Sequence, residues 1–242
     1  MAPVSFLSVV LPLATAAVSL VFAGLVLQRY AARRRSLSHL LWGIGLVLYA
    51  IGAYTQAHHS LFGFSPGIFR LWYLSGAVLV AAYLGQGTVY LLLRRPWAHA
   101  LMAVLALGSI YAAWRVLTAQ LDPAAAGGPE LTGQVIVTPG VRALTPFFNI
   151  YGTLWLVGGA LYSAWYFYRR REAYDRMVGN VLIAAGAMAP AIGGTLNRFG
   201  LPGLYVGELV GAVVMYLGFL RTLRPAAAPQ PVAAVVPHQT SR

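Results

Sequence analysis

A single acidic side chain lies inside a long apolar stretch of this sequence, where a charge is costly. Glu208 falls in the run 203–221, and every other acidic residue lies outside the apolar runs. In hydrocarbon a carboxylate needs a partner, and such residues often mark a path for protons or solutes. We expect Arg198, just before this run, and Arg70, at the start of another, to be its partners. A structural ion pair and a proton- or substrate-binding site are both open at this point.

Two further features could contribute to a substrate site. Asn149 and Trp155 place an amide near an aromatic ring in the run 146–168, which suits a small polar ligand. Amides in lipid also serve as hydrogen-bonding glue between helices. Pro190 lies in the middle of the run 178–197 and predicts a kink, because it removes a backbone hydrogen bond. Broken helices near the bilayer midplane often mark transport sites, but kinks also occur in inert membrane helices.

Composition and motifs exclude most other chemistry. The chain has no cysteine, which excludes disulfides and thiolate sites, and no lysine, which excludes a Schiff base. Motifs for hydrolases, zinc proteases and nucleotide binding are missing as well. We therefore expect no catalytic residues, no metal and no cofactor. The other polar groups in or near the runs either join helices or line a cavity; they are Gln56, Gln86, Asn180, Asn197, Thr55, Thr88, Thr153, Ser163 and Thr195.

The balance of residue types indicates a membrane protein. Hydrophobic residues make up 59% of the 242 residues and charged residues only 9%, whereas soluble domains carry about 25% charged residues. Most of the surface must therefore face lipid. The net charge of +12 does not indicate nucleic acid binding, because the arginines lie at the ends of apolar runs. Their expected partners are the anionic headgroups of the inner leaflet.

Several apolar runs are long enough to cross a bilayer, which takes about 20 residues. The seven runs are 6–29, 38–58, 70–93, 97–118, 146–168, 178–197 and 203–221. If the runs alternate in direction, thirteen arginines fall on one side and four on the other. By the positive-inside rule, the N-terminus lies outside and the C-terminus in the cytoplasm. We predict an all-α, seven-transmembrane-helix bundle in the cell inner (plasma) membrane.

The second half of the chain resembles the first at an offset of 133 to 137 residues. Pro12 and Pro146 each open a run that ends in three arginines, and Gly76-Ala77-Val78 matches Gly211-Ala212-Val213. This predicts two three-helix repeats. A single helix between them gives both repeats the same orientation, so they are parallel about an axis along the membrane normal.

The repeats set the expected domain organisation. One membrane domain, 1–223, holds repeat one (about 6–93), a linker helix (about 97–118), an outer loop (119–145) and repeat two (about 146–221). The tail 224–242 is rich in proline and is expected to be disordered. Glu208 has no acidic counterpart in repeat one, so we expect any chemistry where the repeats differ.

The 3+1+3 order of helices resembles that of the SWEET sugar transporters. Seven helices with an outside N-terminus are also similar to microbial rhodopsins and to the seven-helix input regions of some bacterial histidine kinases. The likeness covers 6–221 in topology only, because the proline–glutamine signature of the transporters and the lysine of the rhodopsins are missing. The chain also looks like small seven-helix membrane proteins common in GC-rich bacteria, which implies no activity.

Two classes of function fit these observations. We expect a small-solute carrier or permeation pathway, not an enzyme, with its site between the repeats. The alternative is a membrane sensor, a hydrophobic-ligand-binding protein or a structural subunit of a larger membrane complex, for which the outer loop would be the contact surface. A homo-oligomer is compatible with either class.

Overall fold

The structure is a computed structural model that describes residues 6–32, 36–126, 130–170, 173–199 and 203–224. Its long helices are α1 (Phe6–Ala32), α2 (Leu37–Phe62), α3 (Pro66–Leu92), α4 (Arg95–Leu117), α5 (141–170), α6 (Tyr174–Arg198) and α7 (Leu204–Thr222). Two short 3₁₀ turns, Pro123–Ala126 and Gly133–Val135, lie between α4 and α5. The predicted disordered tail lies, from residue 225 onward, outside the described residues.

The described part of the chain contains six helices that are long and apolar enough to cross a membrane, the pattern of an integral membrane protein. These six are α1, α2, α3, α4, α6 and α7. α5 carries Asn149 and several tyrosines and is not in this set. Each predicted run coincides with one helix. Most helices extend beyond the run, as α2 does through His59 to Phe62, because helical hydrogen bonds do not require apolar side chains.

Six of the helices described here pack as a closed ring in the order α1, α2, α3, α5, α6, α7, with α7 returning to α1. α4 lies outside the ring, against α3 and α5. The first and last three ring helices therefore form two groups, α1–α3 and α5–α7. The most extensive packing between these groups is that of α3 with α5 and of α7 with α1.

The centre of the ring is apolar. One buried cluster takes residues from every ring helix, among them Phe22, Leu46, Leu84, Leu156, Ile183 and Met215. A second cluster, which includes Val116, Val135 and Phe148, packs α4 and the segment before α5 against α3 and α5. Burial of this apolar surface holds α4 and the segment before α5 in place.

Glycines set the closest helix contacts. A Cβ atom added at Gly186 in α6 would lie 2.8 Å from the Gly211 carbonyl oxygen in α7. A Cβ atom at Gly52 in α2 would lie 2.9 Å from the Gly76 Cα atom in α3. Both separations are too short for a larger residue, so the backbones touch there. Gly207 and Gly211 of α7 both lie at such a contact with α6.

The prolines lie elsewhere in the helices than expected. Pro12 and Pro146 do not open α1 and α5 but lie inside them. The α-helical assignment of α6 runs unbroken through Pro190, so a discontinuous helix is not found there. The irregular turns are two π-helical segments, Tyr73–Leu79 within α3 and Leu154–Gly158 within α5. Nothing in the sequence analysis predicted them.

Candidate functional site

Glu208 lies in the second turn of α7, and its side chain contacts an amide of α2. The Gln56 Nε2 atom donates a hydrogen bond of 2.9 Å to Glu208 Oε1. The Tyr49 hydroxyl donates another, also 2.9 Å long, to the backbone carbonyl of Glu208. Both bonds join α2 to α7, which belong to different groups of the ring. We call this contact the Gln56–Glu208 pair.

The Gln56–Glu208 pair is incompletely satisfied. Glu208 Oε2 and Gln56 Oε1 are buried and have no hydrogen-bond partner within the described residues. Gln56 is only 4% exposed, so bulk water does not replace the missing donors. A buried acceptor without a donor costs about 1–3 kcal/mol. These two oxygen atoms can therefore still bind a proton, a cation or a further hydrogen-bond donor.

The two arginines that were expected to pair with Glu208 are Arg70 and Arg198. The Arg70 Nη2 atom donates to the Ala119 carbonyl oxygen at 3.0 Å, which ties the end of α4 to the start of α3. The ion pairs of the described part lie at the opposite end of the bundle, where Asp175 meets Arg221 and Arg224. The expected Arg70–Glu208 ion pair is thus absent from the described residues. Arg198 is the last residue of α6, and its side chain lies outside the described ones.

A cavity of about 830 Å³ lies at the end of the bundle that carries the segment 118–140, called here the loop end. Its walls come from α3, α5, α6, the first residue of α7 and the segment that includes Glu130. Its polar lining residues are Tyr73, Glu130, Thr132, Gln134, Arg142, Thr145, Asn149 and Asn197. The Asn197 side-chain amide donates to the Glu130 carboxylate, and the Tyr73 and Thr145 hydroxyls are 2.8 Å apart.

Asn149 lines this loop-end cavity and also joins two helices. Its Nδ2 atom donates to the Ala77 carbonyl oxygen at 3.1 Å. Ala77 lies in the π-helical segment of α3, where the usual backbone pairing is interrupted. Asn149 therefore satisfies an irregular turn of α3 from α5. The structure supports the expectation of glue between helices and also places the residue at a cavity.

Trp155 and Pro190 do not line the cavities described here. Trp155 is half-buried within the π-helical segment of α5. Pro190 packs against Gly211, where an added Cβ atom would lie 2.9 Å from the Pro190 Cδ atom. The expected substrate-binding residues that the structure describes therefore lie in several places. Asn149 lines the loop-end cavity, and Arg70 borders a shallow cavity near Gln120.

A second cavity, of about 370 Å³, lies at the opposite end of the bundle, called here the arginine end. Residues from all six ring helices line it, and its volume is typical of a small-molecule site. Its polar lining residues are Ser38, His39, Trp42, Thr88, Ser163, Arg176, Asn180 and Thr222. The Trp42 indole donates to the Thr88 hydroxyl at 3.3 Å. Arg176 is the charged side chain among its described lining residues, which include no acidic residue.

The central apolar cluster lies between the two cavities. Along α3 it places Leu84 between Ala77 of the loop-end cavity and Thr88 of the arginine-end cavity. Along α5, Leu156 likewise separates Asn149 from Gly159. The arrangement can hold polar solutes at either end while the middle stays dry.

Sequence reasoning singled out Glu208 but not the way in which these groups assemble. Four other residues carry the sequence signal of a polar group in or near an apolar run. Each belongs to the Gln56–Glu208 pair or lines a cavity: Gln56, Asn180, Asn197 and Ser163. Tyr49 and Trp42 carry no such signal, because aromatic residues also serve as packing and belt residues. No protein-family model, no curated protein and no solved structure matches the chain.

Proposed function

We propose that this protein is a small-solute carrier or permeation pathway whose path runs between two three-helix units. The observation that carries the proposal is the arginine-end cavity, which all six ring helices line. A cavity at the centre of a ring changes shape when the two halves of the ring move. A structural bundle would gain more stability by filling this space with side chains.

The grouping of the helices supports two parallel units. α1–α3 and α5–α7 follow one another in the same order around the ring, and the contact of α3 with α5 corresponds to that of α7 with α1. The contact of Gly52 with Gly76 and the contact of Gly186 with Gly211 occupy corresponding places in the two units. In this proposal α5 is the seventh span, and α4 is the linker that gives both units the same orientation.

The two cavities suggest a path that opens at one end at a time. Polar groups line each end, and the apolar cluster around Leu84 and Leu156 separates them. Rocking of one unit against the other would open one cavity as it closes the other, as in carriers with repeated units. In this proposal the arginine end faces the cytoplasm of a plasma membrane, in keeping with the positive-inside rule.

The chemistry of the arginine-end cavity favours neutral polar or anionic solutes. Hydroxyls and an amide supply hydrogen bonds, Arg176 supplies a positive charge, and Trp42 and Phe167 supply apolar faces. The described lining residues include no acidic side chain that would attract a cation. The cavity volume limits the solute to a small molecule.

Flux into vesicles tests the proposal. The full chain is reconstituted in liposomes, and swelling rates are measured with a panel of small polyols, sugars, zwitterions and organic anions. At least one class should enter faster than into protein-free liposomes. Ser163→Trp, which fills the arginine-end cavity, should slow that entry. Tyr162→Trp is the matched control, because Tyr162 is exposed on the outside of the same helix.

Two results would contradict a carrier. One is entry of every solute at the protein-free rate. The other is equal flux through the wild-type chain and a folded Ser163→Trp variant. A partner protein or a hydrophobic ligand that co-purifies in fixed proportion, together with either result, would favour the sensor or subunit function instead.

A further inference from the structure

Two oxygen atoms of the Gln56–Glu208 pair are buried without a hydrogen-bond donor. They are Glu208 Oε2 and Gln56 Oε1, which have no partner within the described residues. The nearby donors are already engaged, since Gln56 Nε2 binds Glu208 Oε1 and the Tyr49 hydroxyl binds the Glu208 carbonyl. The amide orientation follows from chemistry, because an ionised carboxylate only accepts. What the pair lacks is therefore a positive or donating group.

Among the described side chains, the charge that acts on the pair is negative. From the segment before α5, Glu130 lies near enough to act electrostatically on Glu208 and on Tyr205, three residues earlier in α7. From α2, Tyr49 and Gln56 contact Glu208. No described arginine forms an ion pair with Glu208, because the ion pairs of the described part involve Asp175. A small cation would relieve the buried charge.

We propose that the Gln56–Glu208 pair binds one small monovalent cation, a proton or Na⁺, at Glu208 Oε2 and Gln56 Oε1. A proton on Glu208 Oε2 would donate to Gln56 Oε1 and satisfy both atoms at once. Na⁺ would take the same two oxygens as ligands. A single carboxylate matches a single positive charge, and the described residues contain no cluster of three or more His, Cys, Asp or Glu of the kind that Ca²⁺ takes.

A route to the pair starts at the loop-end cavity. Leu204, one turn before Glu208 on α7, lines that cavity, and so does Glu130. Glu130 therefore places negative charge at the cavity wall, within electrostatic reach of Glu208, and this charge attracts a cation. The arginine-end cavity, where Arg176 is the charged lining residue, is a poorer entrance.

Cation binding would strengthen a contact between the two units of the ring. Gln56 belongs to α2 and Glu208 to α7. These two helices are connected along the chain only through the helices between them. Loss of the cation leaves an uncompensated buried carboxylate, which favours separation of α2 from α7. The site would thus couple a cation to movement of the units. The site itself stands without the proposed carrier function, and only this coupling rests on it.

Infrared difference spectroscopy of the purified full-length protein in detergent tests the site directly. One series changes pH in K⁺ buffer, and another replaces K⁺ with Na⁺ at fixed pH. We expect a neutral-carboxyl band that depends on Glu208 if the ligand is a proton, or a carboxylate band that shifts with Na⁺ if it is Na⁺. The band should vanish in Glu208→Gln and persist in the control Asp122→Asn, which removes an exposed acid elsewhere.

Gln56→Met provides a second variant that keeps the side-chain length but removes the amide. If the ligand is Na⁺, the variant should weaken its binding about tenfold or more, because one of the two oxygen ligands is lost. If the ligand is a proton, the variant should hold it more tightly, because Gln56 no longer donates to the ionised carboxylate. The inference is overturned if no band depends on Glu208 at any pH and none responds to Na⁺, or if Gln56→Met leaves the response unchanged. No gradient or flux enters this measurement, so its failure and that of the carrier proposal are distinguishable.

Discussion

The buried polar side chains of this bundle reach across to neighbouring helices. Asn149 on α5 bonds to the Ala77 carbonyl on α3, and Gln86 on α3 donates to the Ala98 carbonyl on α4 at 2.9 Å. The Tyr151 hydroxyl of α5 donates in turn to Gln86 Oε1. In an apolar environment such bonds fix the rotation of one helix against the next, because a shifted helix would leave them unmade.

Asn149→Leu should lower stability. The substitution removes the donor for Ala77 in the π-helical segment of α3, and we expect a loss of about 1 kcal/mol. The matched control is Asn180→Leu, because the Asn180 amide bonds to the Arg176 carbonyl of its own helix. Thermal unfolding in the same detergent measures both. An Asn149→Leu variant as stable as wild type would show that this bond does not hold α5 to α3.

The sequence identifies individual residues of interest, but it does not predict which residues they contact. Glu208 stands out in the sequence because a carboxylate in an apolar run is costly. Its neighbour Gln56 is 152 positions away along the chain, and the packing of α7 against the rest of the ring decides which α2 residue it meets. Nothing in the sequence indicated Gln56 as the partner, because proximity along the chain does not set the register between helices.

Glycine-to-glycine contacts determine how closely the helices of each group approach. Gly186 and Gly211 join α6 to α7, and Gly179 with Gly218 repeats the contact near the arginine end, where an added Cβ atom would lie 2.6 Å from a carbonyl oxygen. Backbone contact over several turns makes this pair of helices a stiff element. Movement within the bundle is therefore expected between the groups and not between α6 and α7.

Gly186→Ala should destabilise the α6–α7 pair by about 1–3 kcal/mol, because overpacking forces backbones apart. The new Cβ atom would lie 2.7 Å from the Met215 backbone nitrogen and 2.8 Å from the Gly211 oxygen. Gly194→Ala on the same helix is the control, since its nearest neighbour would be a leucine methyl at 3.8 Å. Denaturation in detergent compares the two. Equal stability of both variants would contradict the close contact.

Helices were easier to predict than their irregular turns. Long apolar runs mark the spans because hydrocarbon requires them, so the positions of α1 to α7 follow from the sequence. The π-helical turns at Tyr73–Leu79 and Leu154–Gly158 depend on packing partners such as Asn149, and no residue pattern reports them. Pro190 was expected to kink its helix. The α-helical assignment of α6 continues through it, at a point where Gly211 of α7 leaves space for the proline ring.

At the scale of the whole molecule, the positive-inside rule predicts that the arginine end faces the cytoplasm. In that orientation we expect Asp122, at the loop end, to lie outside the cell. In intact cells, a membrane-impermeant maleimide should label Asp122→Cys and spare Arg94→Cys, both of which are exposed positions. The chain has no native cysteine, so there is no background. The reverse pattern would mean that the N-terminus is cytoplasmic.

The sequence did not predict the cavities. The matched Gly76 and Gly211 each lie at a close helix contact, and the repeat that they suggested stays a prediction. The arginine-end cavity requires side chains from six helices to leave a gap together. Such a gap depends on the full packing of the core, which hydropathy and spacing do not encode.

The most direct test of the carrier proposal is a reversible block of the arginine-end cavity. Ser163→Cys places a thiol in that cavity at nearly unchanged size, and Tyr162→Cys places one on the outer face of α5. Flux of the admitted solute is measured in vesicles before a bulky thiosulfonate, after it, and after a reductant. We predict that flux through Ser163→Cys falls to the protein-free rate and then recovers, while Tyr162→Cys is unaffected. Undiminished flux through fully labelled Ser163→Cys would contradict a path through this cavity.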